Sequence, residues 1–414
     1  MEYNSDICII GAGPGGAAAA IKLGQLGVNC LLVDKSSFPR DKICGDGISG
    51  KTVTLLNRLN PEIVDRMHTD HEHLDCWGVK FVAPNLKELD FSFRDNFNPL
   101  EDVPPGFISK RIDFDNLLIE EVKKDPKIKL LEGVNLMSFQ KENDLFILSD
   151  RNGEYTITTK LVIAANGAQS AFSRQIGGLE KEPRHHAAGV RAYYKNVEGV
   201  TQNNYIELHY LKSFSPGYFW IFPLPDGHAN VGAGMSSKKI SQKKVNLKKA
   251  LTEIVEHHPV ISKRFQKAER IGSIKGFGLP LGSKKRKISG DRYMLIGDAG
   301  HLIDPLTGEG IANAIYSGTI AAEIAAKAIA ANDYSAEFLK AYDEKVFRVM
   351  GPELQISYQL QKMLSYPWLF NIMANLTIKN DKLGEVISCM FKDIDVRKKI
   401  TNPIFLFKML LNIR

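Results

Sequence analysis

The chain is poor in the features that mark secreted, metal-stapled or membrane-spanning proteins. Its five cysteines, Cys8, Cys30, Cys44, Cys76 and Cys389, are odd in number and scattered, with no Cys-x-x-Cys pair. That spacing excludes a disulfide framework or a zinc knuckle and leaves reduced thiols. The first residues lack the basic and apolar segments of a secretory signal and enter a strand pattern at once, so the cytoplasm is the expected compartment. No uninterrupted apolar run reaches the roughly 20 residues of a membrane span. The nearest, Ile311–Ala331, carries Asn313, Glu323 and Lys327 and reads as a buried helix. Solenoid repeats, low-complexity tracts and the arginine-aromatic pattern of a nucleic-acid module are missing, and a net charge of +7 over 414 residues does not replace them. His68, His71, His73 and Cys76 lie close together, but acids interleave them and no second cluster follows, so no metal is expected.

With 44% hydrophobic and 24% charged residues, the chain is globular and long enough for two or three units at about 150 residues each. The apolar run at residues 6–11, an Ala- and Leu-rich stretch to Leu26 and a second apolar run at Val28–Val33 open a parallel α/β sheet. Alternation from Leu130 to Asn166 suggests a β-meander feeding a last apolar strand, so the sheet is mixed. Residues 186–235 are aromatic and β-branched, the composition of an inserted antiparallel sheet. The expected fold is thus α/β (α+β): a Rossmann-like dinucleotide domain at 1–70, 100–175 and 270–330, an inserted β-sheet substrate domain at 71–99 and 176–269, and a C-terminal helical region at 331–414. Breaks are expected in that last region at Pro352, Pro367 and Pro403.

Gly11-Ala12-Gly13-Pro14-Gly15-Gly16 fits Gly-x-Gly-x-x-Gly at a strand-to-helix junction, where bare backbone approaches a pyrophosphate at a helix N-terminus. Asp34, followed by Lys35, closes the next strand, where a carboxylate accepts ribose hydroxyls. A second signature, Gly297-Asp298, ends an apolar strand. The turn that follows, through Gly308 and Gly310 to Ile311, aims the positive end of a long helix at whatever sits there, and a helix end is worth up to about 2 kcal/mol to an anion. Arg111 is a candidate partner for flavin oxygens, with salt-bridge formation as the competing role.

These residues resemble the FAD-dependent monooxygenase and reductase superfamily of p-hydroxybenzoate hydroxylase type, over residues 6 to about 330. Asn166-Gly167 stands where Asp-Gly is usual in that superfamily, which weakens the case for NAD(P)H. Two segments narrow the resemblance. Phe38 to Gly47, containing Arg40, Lys42, Cys44 and Gly45, looks like the Lys-x-Cys-Gly segment of geranylgeranyl reductases. Tyr218-Phe-Trp220-Ile-Phe222-Pro223, followed by Gly232 and Gly234, resembles that family's Tyr-x-Trp-x-Phe-Pro…Gly-x-Gly motif.

The resemblance implies an FAD enzyme that saturates double bonds of isoprenoid chains on lipids, pigments or quinones, drawing electrons from NAD(P)H or a small redox protein. It also places Cys44 near the flavin. Alternation puts Tyr218, Trp220 and Phe222 on one face of a strand, an apolar wall suited to a prenyl chain, with Pro223 beside it. Hydride transfer to an unactivated alkene needs a nearby acid, for which Cys44 is the first candidate and Tyr218 the second, with Trp220 lining the reacting region. Two other functions fit the same fold: an oxygen-using flavin monooxygenase or halogenase, and a flavoprotein passing electrons to a membrane quinone or partner protein. Residues 382–414 hold seven Lys or Arg against three acids, interleaved with Phe405, Leu406, Phe407, Met409 and Leu410, a candidate peripheral membrane contact on the inner face.

Overall fold

Burial shapes the first strand. Glu2–Ile10 is partly exposed over its first five residues and fully buried from Ile7 to Ile10, as expected where a strand enters a sheet covered on both faces. It turns at Gly11 into the helix Pro14–Gln25, which starts on a proline that has no N–H to leave unpaired, and returns as Cys30–Val33. The computed structural model describes residues 1–93, 102–200 and 204–363, with positions 366–368, 371, 372 and 375 beyond them. The segment 382–414, with Cys389 and Pro403, lies outside the described residues.

The first sheet runs in the order Ser289–Gly290, Tyr293–Leu295, Thr156–Ala164, Glu2–Ile10, Cys30–Val33, Ile128–Leu131. All its neighbours on this path are parallel except the first pair. The meander Leu136–Glu142 and Leu145–Asp150 adds antiparallel strands alongside Thr156–Ala164. This is the mixed Rossmann-like sheet that the sequence predicts.

A second sheet of seven strands runs Glu269–Pro280, His186–Lys195, His228–Ser236, Tyr218–Leu224, Ile206–His209, Gly78–Val82, Glu88–Ser92. It is antiparallel but for the pairing of Ile206–His209 with Gly78–Val82, because the upstream segment enters alongside rather than by a hairpin. Glu269–Pro280, expected to open the last nucleotide-domain segment, instead pairs along His186–Lys195; its exposed, glycine-interrupted sequence carries little strand signal of its own. His73–Cys76 also falls elsewhere than expected, joining Gly47–Ile48 and Gly106–Ser109 in a small third sheet.

The helix Ile311–Ala331 packs on Pro14–Gln25, with the backbone of Gly15 in the space a side chain on Gly318 would need. Among the described residues it is the one helix long and apolar enough to cross a membrane, and half of its apolar stretch is buried inside the protein. The following helix, Ala336–Met363, runs unbroken through Pro352, contrary to expectation. Met350 and Leu354 are buried on either side of the proline, and Lys51 holds Glu353 at 2.8 Å, so tertiary contacts hold both halves in line.

Candidate flavin and substrate site

The turn after the first strand is shaped by close backbone approach. Gly11 has φ +102°, and a Cβ there would lie 2.6 Å from the Ala165 carbonyl oxygen, beside Asn166. Its N–H donates to Val33 O at 2.7 Å, tying the turn to the neighbouring strand. Ala12 N donates to Asp34 Oδ2 at 2.7 Å and Ser36 N to Oδ1 at 2.9 Å. Each oxygen keeps a further lone pair for a ligand hydroxyl. Lys35 is exposed beside them. No side chain caps the helix that starts at Pro14, so its first N–H groups are free to meet a phosphate. Gly13 opens toward Arg40, whose Nη2 is 3.7 Å from where a Cβ would stand.

Arg111 has a partner the sequence reading did not assign. It grips Asp115, four residues on, with hydrogen bonds of 2.6 and 2.7 Å, and Arg40 adds a third at 2.7 Å. Both Arg111 and Asp115 are buried. Burial opposes charge on each, but the Arg111 and Arg40 guanidinium groups hold the Asp115 carboxyl below its ordinary range. Burial likewise works against the Arg111 charge, and Asp115 outweighs it, with the Cys44 side chain as a further contact. Arg111 therefore spends one edge on a salt bridge and also meets the Cys44 side chain.

At the other end, Gly297 N donates to Ser317 Oγ at 3.0 Å, and Asp298 Oδ1 lies 3.0 Å from where a Cβ on Gly310 would stand. Lys42 is 3.5 Å from Asp298. The turn from Asp304 is held by its own carboxylate, which accepts from Leu306 N and Thr307 N, both at 2.9 Å. No side chain caps the helix that begins at Ile311. Asn166, between the two ends, has a buried Oδ1 with no partner among the described residues. The bare backbone, uncapped helix starts and unspent acceptors fit a flavin dinucleotide laid along these strand ends.

The ring wall lies where these pieces converge. Tyr218 and Trp220 have ring centroids 5.9 Å apart, Trp220 and Phe222 6.3 Å, and Tyr210 extends the row 6.0 Å beyond Tyr218. Where Cβ atoms on Gly45 and Gly47 would stand is 3.4 and 3.3 Å from the Phe222 ring. At the far end, Tyr218 OH donates to Thr307 O at 3.3 Å, and burial raises its hydroxyl to about 12. Trp220 is buried beneath the Cys44–Gly47 loop. Pro223 does not join the wall: alternation along Tyr218–Leu224 turns it to the opposite face from Phe222.

One buried carboxylate in this region is a residue the motifs did not single out. Asp46, fully buried with φ +68°, accepts from Tyr193 OH at 2.8 Å and from Asn230 Nδ2 at 2.7 Å. Asn230 also donates to Cys44 O at 2.8 Å and accepts from Trp220 Nε1 at 3.0 Å. Burial pushes the Asp46 carboxyl up to about 6, against these hydrogen bonds and the charges of Arg191 and Arg111. In sequence Asp46 was visible only as part of the Cys44-Gly45-Asp46-Gly47 run. Tyr193 and Asn230 become neighbours through sheet register, Tyr193 opposite Asn230 and Asn230 opposite Phe222.

The histidine cluster is spent locally, His68 beside Asp75 at 3.3 Å and His73 beside Ser109 at 2.7 Å. Lys284 and Arg286 both bind Glu182.

A family model described as an FAD binding domain matches residues 4–350. A digeranylgeranylglycerophospholipid reductase of Thermoplasma volcanium is 30% identical over 346 residues, 82% of this chain and 83% of that one. The chain belongs to the geranylgeranyl reductase family of FAD-dependent oxidoreductases. A menaquinone reductase of Mycobacterium tuberculosis is 26% identical over 392 residues, 93% of this chain and 90% of its own. Among solved structures, a geranylgeranyl bacteriochlorophyll reductase-like protein of Thermoplasma acidophilum superposes with a TM-score of 0.80 at 25% identity, covering 99% of this chain and 96% of that one. A member of this family is an oxidoreductase, so the glycine turn, Asp34 and the Asp298 turn are candidates to hold its FAD.

Proposed function

We propose that the protein hydrogenates carbon–carbon double bonds of an isoprenoid chain carried by a lipid or quinone. The observation that carries this reading is the row Tyr210, Tyr218, Trp220 and Phe222, an apolar wall closed at one end by the Cys44–Gly47 loop and at the other by the Thr307–Gly308 turn. Relatives named for reduction of digeranylgeranylglycerophospholipid and of menaquinone support the same substrate class.

In this reading Gly11 to Gly16 and the start of Pro14–Gln25 hold the pyrophosphate, Asp34 the ribose, and Asp298 with the start of Ile311–Ala331 the flavin end. The chemistry FAD supplies when bound is hydride donation to an alkene carbon. Wall and loop exclude water from the chain they grip, and Cys44, against Arg111, assists proton delivery or gates the substrate. The basic segment 382–414 is the proposed membrane contact, so deletion of 403–414 should reduce liposome binding. NAD(P)H or a small redox protein supplies the electrons.

Anaerobic incubation of the reduced holoenzyme with prenylated lipids, followed by mass spectrometry, tests this function. The expected result is a gain of H2 per reduced double bond. A reduced quinone ring with an unsaturated chain would instead make the protein an electron carrier to quinone, and an oxygenated or halogenated product would make it an oxygen-using enzyme. The likeness to a flavin-dependent brominase, at 21% identity, reports the shared fold alone.

A further inference from the structure

Saturating a double bond consumes a proton with each hydride, and a Cys44 thiol that assists delivery or gates the substrate is not itself the source. We propose that Asp46 is the proton store of this site and Tyr193 its outlet, an inference that rests on the reductase reading above.

The carboxyl is fixed in place. Its backbone sits in the left-handed region, a strained conformation for a non-glycine residue that persists where surrounding structure enforces it. The Asp46 carbonyl takes the Ser109 N–H at 2.9 Å, pinning the loop to the small sheet.

Its two oxygens are unlike. Oδ2 takes both donors, Tyr193 and Asn230, while Oδ1 is buried with no partner among the described residues. An ionised carboxylate so placed leaves a charged acceptor unsatisfied, and a proton on Oδ1 removes that cost. The two cations facing Asp46 are already committed, Arg191 to Asp41 at 3.1 Å and Arg111 to Asp115. Neither offers Asp46 a direct ion pair, so burial prevails over attraction and the carboxyl titrates at about 6.

Tyr193 connects this store to the wall. It lies in one cross-sheet row with Asn230 and Phe222 and is only partly buried. Burial and the neighbouring Asp46 raise its phenol well above the ordinary range, against the Arg191 guanidinium 4.0 Å over the ring, so its proton leaves only as the Asp46 proton replaces it. Tyr218, the rival hydroxyl, donates to a backbone carbonyl that has no proton to return.

In the proposed step the carboxyl turns its protonated oxygen to the phenol, and the Asp46 proton passes to the phenolic oxygen as the Tyr193 hydroxyl proton goes to one alkene carbon. One C–H bond forms here and one by hydride, the π bond breaks, and both electrons come from reduced flavin. Asp46 is left as carboxylate and regains its proton from solvent.

Asp46→Asn keeps the shape and the acceptor for Tyr193 and Asn230 but holds no acidic proton. In the holoenzyme, single-turnover prenyl reduction should fall about 100-fold or more at pH 6, and the wild-type decline above about pH 6 should vanish. Tyr193→Phe should lose rate similarly yet keep the infrared band of a protonated buried carboxyl, which the wild type shows below pH 6 and Asp46→Asn lacks. An Asp46→Asn enzyme with wild-type rate and pH profile, or no such band in the wild type at pH 5, overturns the proposal. Failure of the wild type to reduce any prenyl chain sinks both readings, whereas unchanged Asp46→Asn turnover sinks this one alone.

Discussion

The indole of Trp220 occupies the space that a side chain on Gly232, its partner across the sheet, would need. Gly232→Ala must therefore displace the ring or the strand. Overpacking of this kind costs about 1–3 kcal/mol, and it also strains the Trp220 to Asn230 bond that supports Cys44 and Asp46. The expected result is a lower Tm, shifted tryptophan emission and reduced turnover. Unchanged emission with full turnover would show that the indole's placement is immaterial.

Asp115 balances two arginines in a dry setting. Removing one partner of a buried pair costs about 3–5 kcal/mol, so Asp115→Ala should lower the Tm by several degrees and weaken flavin retention. Because Arg111 and Arg40 hold this carboxyl below its ordinary range, its stabilisation is present above the unfolded value of about 3.9 and lost as pH falls through the folded one. Acid unfolding of Asp115→Ala should accordingly be less steep than that of the wild type.

Asp46 has the opposite sign. Its folded value of about 6 lies above the ordinary 3.8, so stability falls as pH rises between those limits and stays low above them. Asp46→Asn should be more stable than the wild type above pH 6, by about 3 kcal/mol at most, with little difference near pH 4. Thermal melts across pH 4–8 read this directly; a difference that does not grow with pH would contradict it.

Asp34 is the test of the nucleotide end. A hydrogen bond to a charged group contributes about 1.5–3 kcal/mol, so Asp34→Ala should weaken FAD binding about 10- to 100-fold in a fluorescence titration. Undiminished affinity would remove Asp34 from the ribose site.

Cys44→Ala separates chemistry from packing. With the thiol gone but the loop backbone still held through Asn230, turnover or double-bond selectivity should change in lipid mass spectrometry. If neither does, the thiol has no part in the reaction.

Much of this was legible in sequence, for definite reasons. Gly11 to Gly16, Asp34 and Gly297-Asp298 declare themselves because short-range geometry dictates each residue. The wall was legible for the same reason, since alternation alone places Tyr218, Trp220 and Phe222 together, although the expectation that set Pro223 beside them was wrong. Asp115 was within reach, four residues after Arg111 on a helix, yet spacing does not reveal that Arg40 arrives from another segment. Asp46 was not legible at all. Its partners Tyr193 and Asn230 lie more than 140 residues away, brought in by sheet register that no local pattern encodes. Pro352 marks the same limit, a local breaker overruled by tertiary contacts.

The contact of Gly318 with Gly15 acts as a ruler. Two helices whose starts carry no side-chain cap touch backbone to backbone, and Gly297 seats its turn against the same stretch, with Ala314 Cβ 2.7 Å from where its own Cβ would be. The span between the two anion-seeking ends is thus set by the protein before any cofactor arrives. Any opening that admits a long apolar chain must then come from the seven-stranded sheet and the Cys44–Gly47 loop, because the graduated edge cannot stretch.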